Sequence, residues 1–301
     1  MQCPKIGIAI CSHKKYSYLK ETLQSVIAQR YYRKRIDIIV VEDGANHREE
    51  ALSSFQEAVH SNLLNAESSV RSAHMILTDR NCGTSKARNI GMDMLIANGS
   101  EMVAHLDGDD LLHPDFSSAL SSCLIDKGIE RAVSYSQVNA FQDGALQLSD
   151  ILGDNFSHLA NSFGPRRDLY CSVWMMPASV YREVGGYHEW MKERWEDAEF
   201  VDDLVARQMP AFPAGPYYFY RLGSVLESRE KAQREGAELL WAKRHFLHPT
   251  VPEVTDRHFD PAFYAEIQNQ GKDKDRRCAG KVRIELIPGF GPTPEVGEYH
   301  G

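Results

Sequence analysis

The stretch Met102-Val-Ala-His-Leu-Asp-Gly-Asp-Asp-Leu-Leu-His-Pro114 decides how the rest of the chain is read. An apolar run of strand character stops abruptly in three acids, Asp107, Asp109 and Asp110. Carboxylates crowded at the mouth of a buried strand repel one another and lose solvation, so an unpaired cluster there is costly. A hard divalent cation removes that cost, taking one or two carboxylates together with the phosphates of a substrate. The stretch therefore points to a metal–diphosphate site at a strand's carboxyl end. In isolation a D-x-D reads first as a solvated acidic turn, here with Pro114 opening the next helix. The surrounding sequence has to decide.

Upstream, strands and helices alternate. Ile6–Cys11 is an apolar strand, and Leu19, Leu23, Val26 and Ile27 fall at helical spacing, which predicts a helix over Tyr16–Gln29. A second strand, Ile36–Val41, ends in Glu42-Asp43-Gly44, followed by a helix over 48–64 and a short strand His74–Thr78. The loop Asn81-Cys-Gly-Thr-Ser85 leads into a helix over Lys86–Ala97, then a fourth strand, Glu101–Leu106. Pro114–Asp126 reads as a helix with Pro in its first turn, and Arg131–Asn139 as one half-exposed strand. Such β-α repetition predicts an α/β fold: a mainly parallel, Rossmann-like twisted sheet with helices on both faces. Ligands of open sheets bind outside the carboxyl ends of the strands. Ser12-His13, Glu42-Asp43 and Asp107–Asp110 all fall there.

The pattern weakens after Phe141. Residues 142–167 are polar and read as a long loop that shapes a binding site. A strand over Tyr170–Met176, a helix Ala178–Val184 stopped by Gly185-Gly186, a helix Glu196–Gln208 and an aromatic strand Pro216–Tyr220 follow. Ser228–Phe246 is charged and helical in character, and the last ~50 residues are Pro- and Gly-punctuated and read as a tail.

Composition narrows the function. With 301 residues, 43% of them hydrophobic and 25% charged, the chain buries one large core or two small ones. A net charge of −8 without a long basic run argues against indiscriminate binding to a nucleic-acid backbone. The six cysteines include no C-x-x-C pair and the histidines no H-E-x-x-H spacing, which argues against zinc. No apolar run reaches membrane-spanning length. The expected location is the cytoplasm, with peripheral attachment to a membrane left open.

Five features recur in order: the strand–Cys11-Ser-His opening, Val40-Val-Glu-Asp-Gly44, Asn81-Cys-Gly-Thr-Ser-Lys-Ala-Arg-Asn-Ile-Gly91, Leu106-Asp-Gly-Asp-Asp110, and Gly185-Gly-Tyr followed by Glu196-Asp197. Together they resemble the family-two inverting glycosyltransferases of GT-A fold, over residues 4 to 225. The resemblance implies a catalytic domain over 1–225, with a nucleotide-sugar-binding half (1–140) and an acceptor half (141–225), and a C-terminal helix and tail over 226–301.

It also implies roles. Asp43 accepts a hydrogen bond from the base, typically uracil, and Ser12 touches the nucleoside. Asn81, Lys86 and Arg88 belong to the segment that closes over the nucleotide. Asp107 contacts ribose or metal, Asp109 ligates Mn²⁺ or Mg²⁺, and Asp110 stands behind them or on the acceptor side. Asp197 is the general base, beside Glu196, and Trp195 flanks the pair. Tyr220-Arg-Leu-Gly-Ser224 resembles the family's closing motif but lacks its metal-ligating His. The donor is then a nucleotide sugar, most naturally a UDP-sugar, and the acceptor a glycan, lipid-linked, protein or nucleic-acid group.

Bland readings stand beside these. Asp43-Gly44 is also an ordinary turn, Arg88 also a core ion pair, and Glu196-Asp197 also a pair of helix-dipole acids. Asp202 and Asp203 read as solvated helix residues. One rival function is a degenerate module that binds nucleotide sugar or glycan without turnover. A nucleotidyltransferase fits poorly because Cys11-Ser-His-Lys-Lys15 is not a Gly-rich loop, and no G-x-x-x-x-G-K-[ST] or first-turn G-x-G-x-x-G is present.

Overall fold

The computed structural model describes residues 3–44, 48–60, 67–128, 130–153, 173–189, 196–222, 277 and 282–295. Its first part runs β1 (Ile6–Ser12), α1 (Tyr16–Ile27), β2 (Ile36–Glu42), α2 (Arg48–His60), β3 (Val70–Thr78), α3 (Thr84–Ala97) and β4 (Met102–Asp107). Then follow β5 (Leu111–Leu112), α4 (Phe116–Ile125), β6 (Val133–Tyr135), β7 (Val138–Phe141), α5 (Leu148–Leu152) and β8 (Trp174–Pro177). After these come α6 (Ala178–Val184), α7 (Glu196–Ala206), β9 (Ala211–Pro213), β10 (Tyr218–Arg221) and β11 (Ile284–Phe290).

Period-two alternation in β1 builds two cores. Ile6, Ile8 and Ile10 pack with Leu19 and Leu23 of α1, Phe55 of α2 and Phe116 and Leu120 of α4. Ala9 and Cys11 face the other way, toward Ile90 and Leu95 of α3, Tyr181 of α6 and Phe200 of α7. Both faces of the strand are covered, which is why it reads as a continuous apolar run. The last glycine of the 81–91 motif is required by this packing. A Cβ on Gly91 would sit 2.9 Å from Ala9 Cβ and 3.2 Å from Val41 Cγ2, so α3 lies directly on the sheet.

Eight strands form the main sheet in the order β11-β3-β2-β1-β4-β8-β6-β9. Strands β3, β2, β1 and β4 run parallel. The chain leaves β1 toward β2 and β3, then returns to β1's other side as β4, so β1 and β4 border the switch point where open sheets hold ligands. A second sheet has the order β5-β10-β7. This is the expected mixed α/β architecture.

Several elements differ from the sequence reading, which includes neither β5 nor β9. The single strand expected over Arg131–Asn139 is two strands in different sheets, β6 and β7. Ser136 and Gln137 turn out of the ladder between them, their N–H groups donating to Val173 O at 3.3 Å and Gly215 O at 2.7 Å. Strand β3 begins at Val70, earlier than the expected His74. Within the region read as a tail, β11 pairs antiparallel with β3, its register shifting between Pro288 and Phe290. An edge strand tolerates Pro288 because one side of it has no ladder to feed. The helix expected over Ser228–Phe246 lies outside the described residues.

Candidate active site

Three strand exits meet at one edge. Asp43 N–H donates to Ser12 O and Gly108 N–H to Cys11 O, both at 2.8 Å. A Cβ on Gly108 would lie 2.9 Å from Ser12 Cβ, so glycine between the two acids lets the β4 exit close against β1. Register pairs Ser12 with Glu42 and Cys11 with Asp107. Asp43 and Asp107 therefore flank β1, two strand spacings or about 10 Å apart.

Asp43 is 4% exposed and grips the 81–83 loop. Its Oδ1 accepts from Cys82 N at 2.8 Å and faces Thr78 Oγ1 at 3.0 Å, while Oδ2 accepts from Gly83 N at 2.8 Å. The acid expected beside the base thus also fixes the loop that would close over it, with acceptor capacity left on Oδ2. Asn81 Oδ1 accepts from Gly83 N at 3.0 Å and its Nδ2 lies 3.1 Å from His13 Nε2; His13 Nδ1 contacts Asp43 O. Ser12 is buried beside Glu42, whose carboxyl is raised by burial despite the facing Ser12 and Tyr16 hydroxyls and the Lys14 N–H.

Arg88 joins the β4 exit to α7. Its Nη2 donates to Asp107 Oδ1 at 2.8 Å, Nη1 lies 2.8 Å from Glu196 Oε1, and the guanidinium lies over the Tyr187 ring. Burial alone would lower the Arg88 pKa, but Asp107 and Glu196 hold it well above its ordinary value. For Asp107, burial pushes upward and Arg88 and Lys15 outweigh it, leaving the carboxyl well below the usual range. Asp197 is partly exposed and close enough to act on both Arg88 and Tyr187.

Two residues expected at the donor are held in ion pairs of the chain. Arg88 is a buried ion pair, as its blander reading had it. Lys86, expected to reach the donor, is 4% exposed, and its Nζ lies 3.1 Å from Glu189 Oε2. This ion pair ties α3 to the turn after α6. Asp203 also departs from the solvated reading, with His188 Nε2 3.1 Å from its Oδ2. Trp195 lies outside the described residues.

The acids expected to hold a metal meet cations of the chain itself. Asp109 is 2% exposed, and its Oδ1 is 2.5 Å from Lys15 Nζ. Asp110 turns away to β10, accepting from Arg221 N at 2.8 Å and from the Tyr218 hydroxyl. Burial and the charges of Asp109 and Asp107 push its carboxyl well above the usual range. Arg221 braces the same region, its Nε donating to Asp109 O at 2.8 Å and its Nη1 and Nη2 reaching Asp143 and Glu21. Among the described residues no group of three or more His, Cys, Asp or Glu side chains is arranged to hold a metal ion. With one oxygen of Asp107 on Arg88 and one of Asp109 on Lys15, the donor set as arranged does not fit Mn²⁺ or Mg²⁺.

Sequence reasoning missed Lys15, Glu189 and Arg221. Arg221 stood inside a quoted motif, and Lys15 three residues past a strand exit; nothing in the sequence marked Glu189.

A family model of Glycosyl transferase family 2 matches residues 7–132, the span from β1 to the start of β6 that carries Asp43, Arg88 and the three acids. This part of the chain is similar to family-two glycosyltransferase domains. Solved structures of S. aureus TarS, residues 1–349, share the GT-A fold. The complex with UDP is 14% identical, with a TM-score of 0.52 over 72% of this chain and 60% of that one. The complex with UDP-GlcNAc gives 14%, 0.52, 72% and 58%. The chain thus spans about 60% of the length of these neighbours. No curated protein sequence matches it. No helix among the described residues is long and apolar enough to cross a membrane.

Proposed function

We propose that the chain transfers a sugar from a nucleotide-diphosphate donor, a UDP-sugar, to an acceptor hydroxyl with inversion at the anomeric carbon. The observation that carries this reading is the convergence of Asp43, Asp107 and the Glu196-Asp197 pair on β1's carboxyl end, with Arg88 bridging Asp107 to Glu196. The family-two match and neighbours solved with UDP and UDP-GlcNAc support the donor class.

In this reading Asp43 and the loop it holds meet the base and Asp107 the ribose. Asp197 stands in the first turn of α7 as the general base. It takes the acceptor's proton while the acceptor oxygen bonds to C1, and the C1–O bond to the diphosphate breaks with its electron pair leaving on the nucleotide. A single displacement needs only one carboxylate on the acceptor side. Glu196, held by Arg88, anchors the helix turn that presents Asp197.

The test is a thermal-shift and calorimetric screen of nucleotides and nucleotide sugars, followed by turnover assays of the wild type and Asp197→Asn. Binding to the folded state alone raises the melting temperature by mass action. UDP and one UDP-sugar should stabilise both proteins, while Asp197→Asn should lose transfer by about 10²–10⁴-fold. Full turnover in Asp197→Asn would remove it as the base. Donor binding without turnover by the wild type on any acceptor class would favour the binding-module reading.

A further inference from the structure

The acids after β4 need partners, and the chain itself supplies them. Asp107 is met by Arg88. Asp110 is buried and turned away, accepting from the Tyr218 hydroxyl and the Arg221 backbone N–H. That leaves Asp109, 3% exposed in its side chain, whose carboxylate is met by Lys15 at 2.5 Å. An unpaired carboxylate this deeply buried would neutralise rather than stay charged, so the pair is the local solution to burial.

Lys15 is placed to do more than balance charge. It is the residue before α1, at the end of the loop leaving β1, on the edge where Ser12, Asp43 and Asp107 converge. Its side chain is 33% exposed although its ammonium is held by a carboxylate that solvent barely reaches. An ammonium carries three N–H donors. Asp109 takes one, which leaves two for oxygens arriving from the open side. A lysine ammonium is also an established phosphate partner, acting as a point charge. A divalent ion on Asp109 would have to displace this ammonium from the carboxylate it holds.

We propose that Lys15 is the resident cation of the donor site: held by Asp109, its ammonium receives the donor's diphosphate oxygens in the place a divalent metal would take, so that donor binding proceeds without Mn²⁺ or Mg²⁺. The inference rests on the nucleotide-sugar reading above. In the transfer step, the C1–O bond breaks and its electron pair passes to the departing β-phosphate oxygen. The charge that develops there faces the Lys15 ammonium, while the proton released by the acceptor goes to Asp197. No further co-reactant is needed.

The experiment is calorimetric titration of UDP into the wild type, Lys15→Met and Lys15→Arg, each in excess EDTA and in Mn²⁺. Electron paramagnetic resonance counts Mn²⁺ bound in the absence of nucleotide, and circular dichroism checks that each variant is folded. The wild type should bind UDP equally well in EDTA and in Mn²⁺, and should bind no Mn²⁺ on its own. Lys15→Met should lose at least about tenfold in UDP affinity in EDTA, the worth of one charge-assisted contact. Lys15→Arg, which keeps the cation, should retain binding. UDP binding by the wild type that appears only with Mn²⁺ would overturn the role of Lys15 and leave the donor reading standing. Undiminished binding by folded Lys15→Met in EDTA would do the same. Failure of the wild type to bind UDP in EDTA and in Mn²⁺ alike would overturn the UDP-sugar reading itself, and the inference with it.

Discussion

Replacing Arg88 with methionine tests whether one guanidinium holds the two halves of the site together. Unit charges about 4 Å apart attract by about 4 kcal/mol at an effective dielectric constant near 20. Much of that attraction only offsets the desolvation of a side chain that is 4% exposed. The net worth of the pairs is therefore small, but the cost of breaking them is not. Taking out the cation leaves Glu196, 9% exposed, without its partner, whereas Asp107, 33% exposed, is partly rescued by water. A buried pair broken from one side costs about 3–5 kcal/mol, and here most of it falls on Glu196. Urea denaturation of Arg88→Met should show a loss of that size, read as the midpoint shift times the slope. The same substitution in a Glu196→Gln background should cost about 1–3 kcal/mol less, because the stranded acid is gone. Donor turnover should fall in Arg88→Met as well, since Glu196 sits beside Asp197 in the first turn of α7. A loss below about 1 kcal/mol, or an equal loss in both backgrounds, would refute the bridge as a charge device.

Two other outcomes follow from the packing. His74 lies with Nε2 2.9 Å from Pro292 O and Nδ1 3.4 Å from Gly289 N, an arrangement that suits the neutral ring donating at one nitrogen and accepting at the other. Burial lowers its pKa from the ordinary 6.5, so the stability it contributes is present above that value and is lost as pH falls below it. Amide exchange over 284–290, corrected for intrinsic rates, should show protection falling between pH 7 and pH 5 in the wild type but not in His74→Gln; parallel behaviour would exclude His74 as the cause. Gly91→Ala should lower stability by about 1–3 kcal/mol despite its better helix propensity, because the new methyl meets Ala9 at 2.9 Å. A raised melting temperature would show that α3 can lift off the sheet without cost.

The parallel half of the fold was legible because its signals are local. Buried strands such as Ile6–Ser12 are apolar on both faces, and α1 repeats its apolar residues on one side, so burial writes itself into the residue order. The split of Arg131–Asn139 into β6 and β7 was not legible, because what turns the chain out at Ser136 and Gln137 are carbonyls of Val173 and Gly215, distant in sequence. Strand β11 was hidden for a related reason. An edge strand pairs on one side only, so Pro288 and Gly289 can interrupt its pattern without preventing its pairing with β3. At the site, the order of the motifs singled out Asp43, Asp107 and Glu196-Asp197 as candidates, but it did not pair Glu196 with Arg88 or Asp109 with Lys15.

That difference decides how the acids should be understood. A sequence shows which carboxylates crowd a strand exit and therefore that a countercharge must exist, but it does not show where the countercharge comes from. A bound metal and a lysine from another element satisfy the same local demand. Asp109 and Lys15 are 94 residues apart. Lys86 and Arg88 show the same ambiguity from the cationic side: two residues apart in one helix, both were candidates for the donor, and both turn to acids, Glu189 and Glu196, contributed by the second half of the chain. Substituting any one of these acids should therefore alter how α3 and the β4 exit are held before it alters any direct contact with a ligand. For that reason the roles assigned at this site have to be separated by binding measurements made alongside turnover, because a loss of activity alone would look the same for a ligand contact and for a brace.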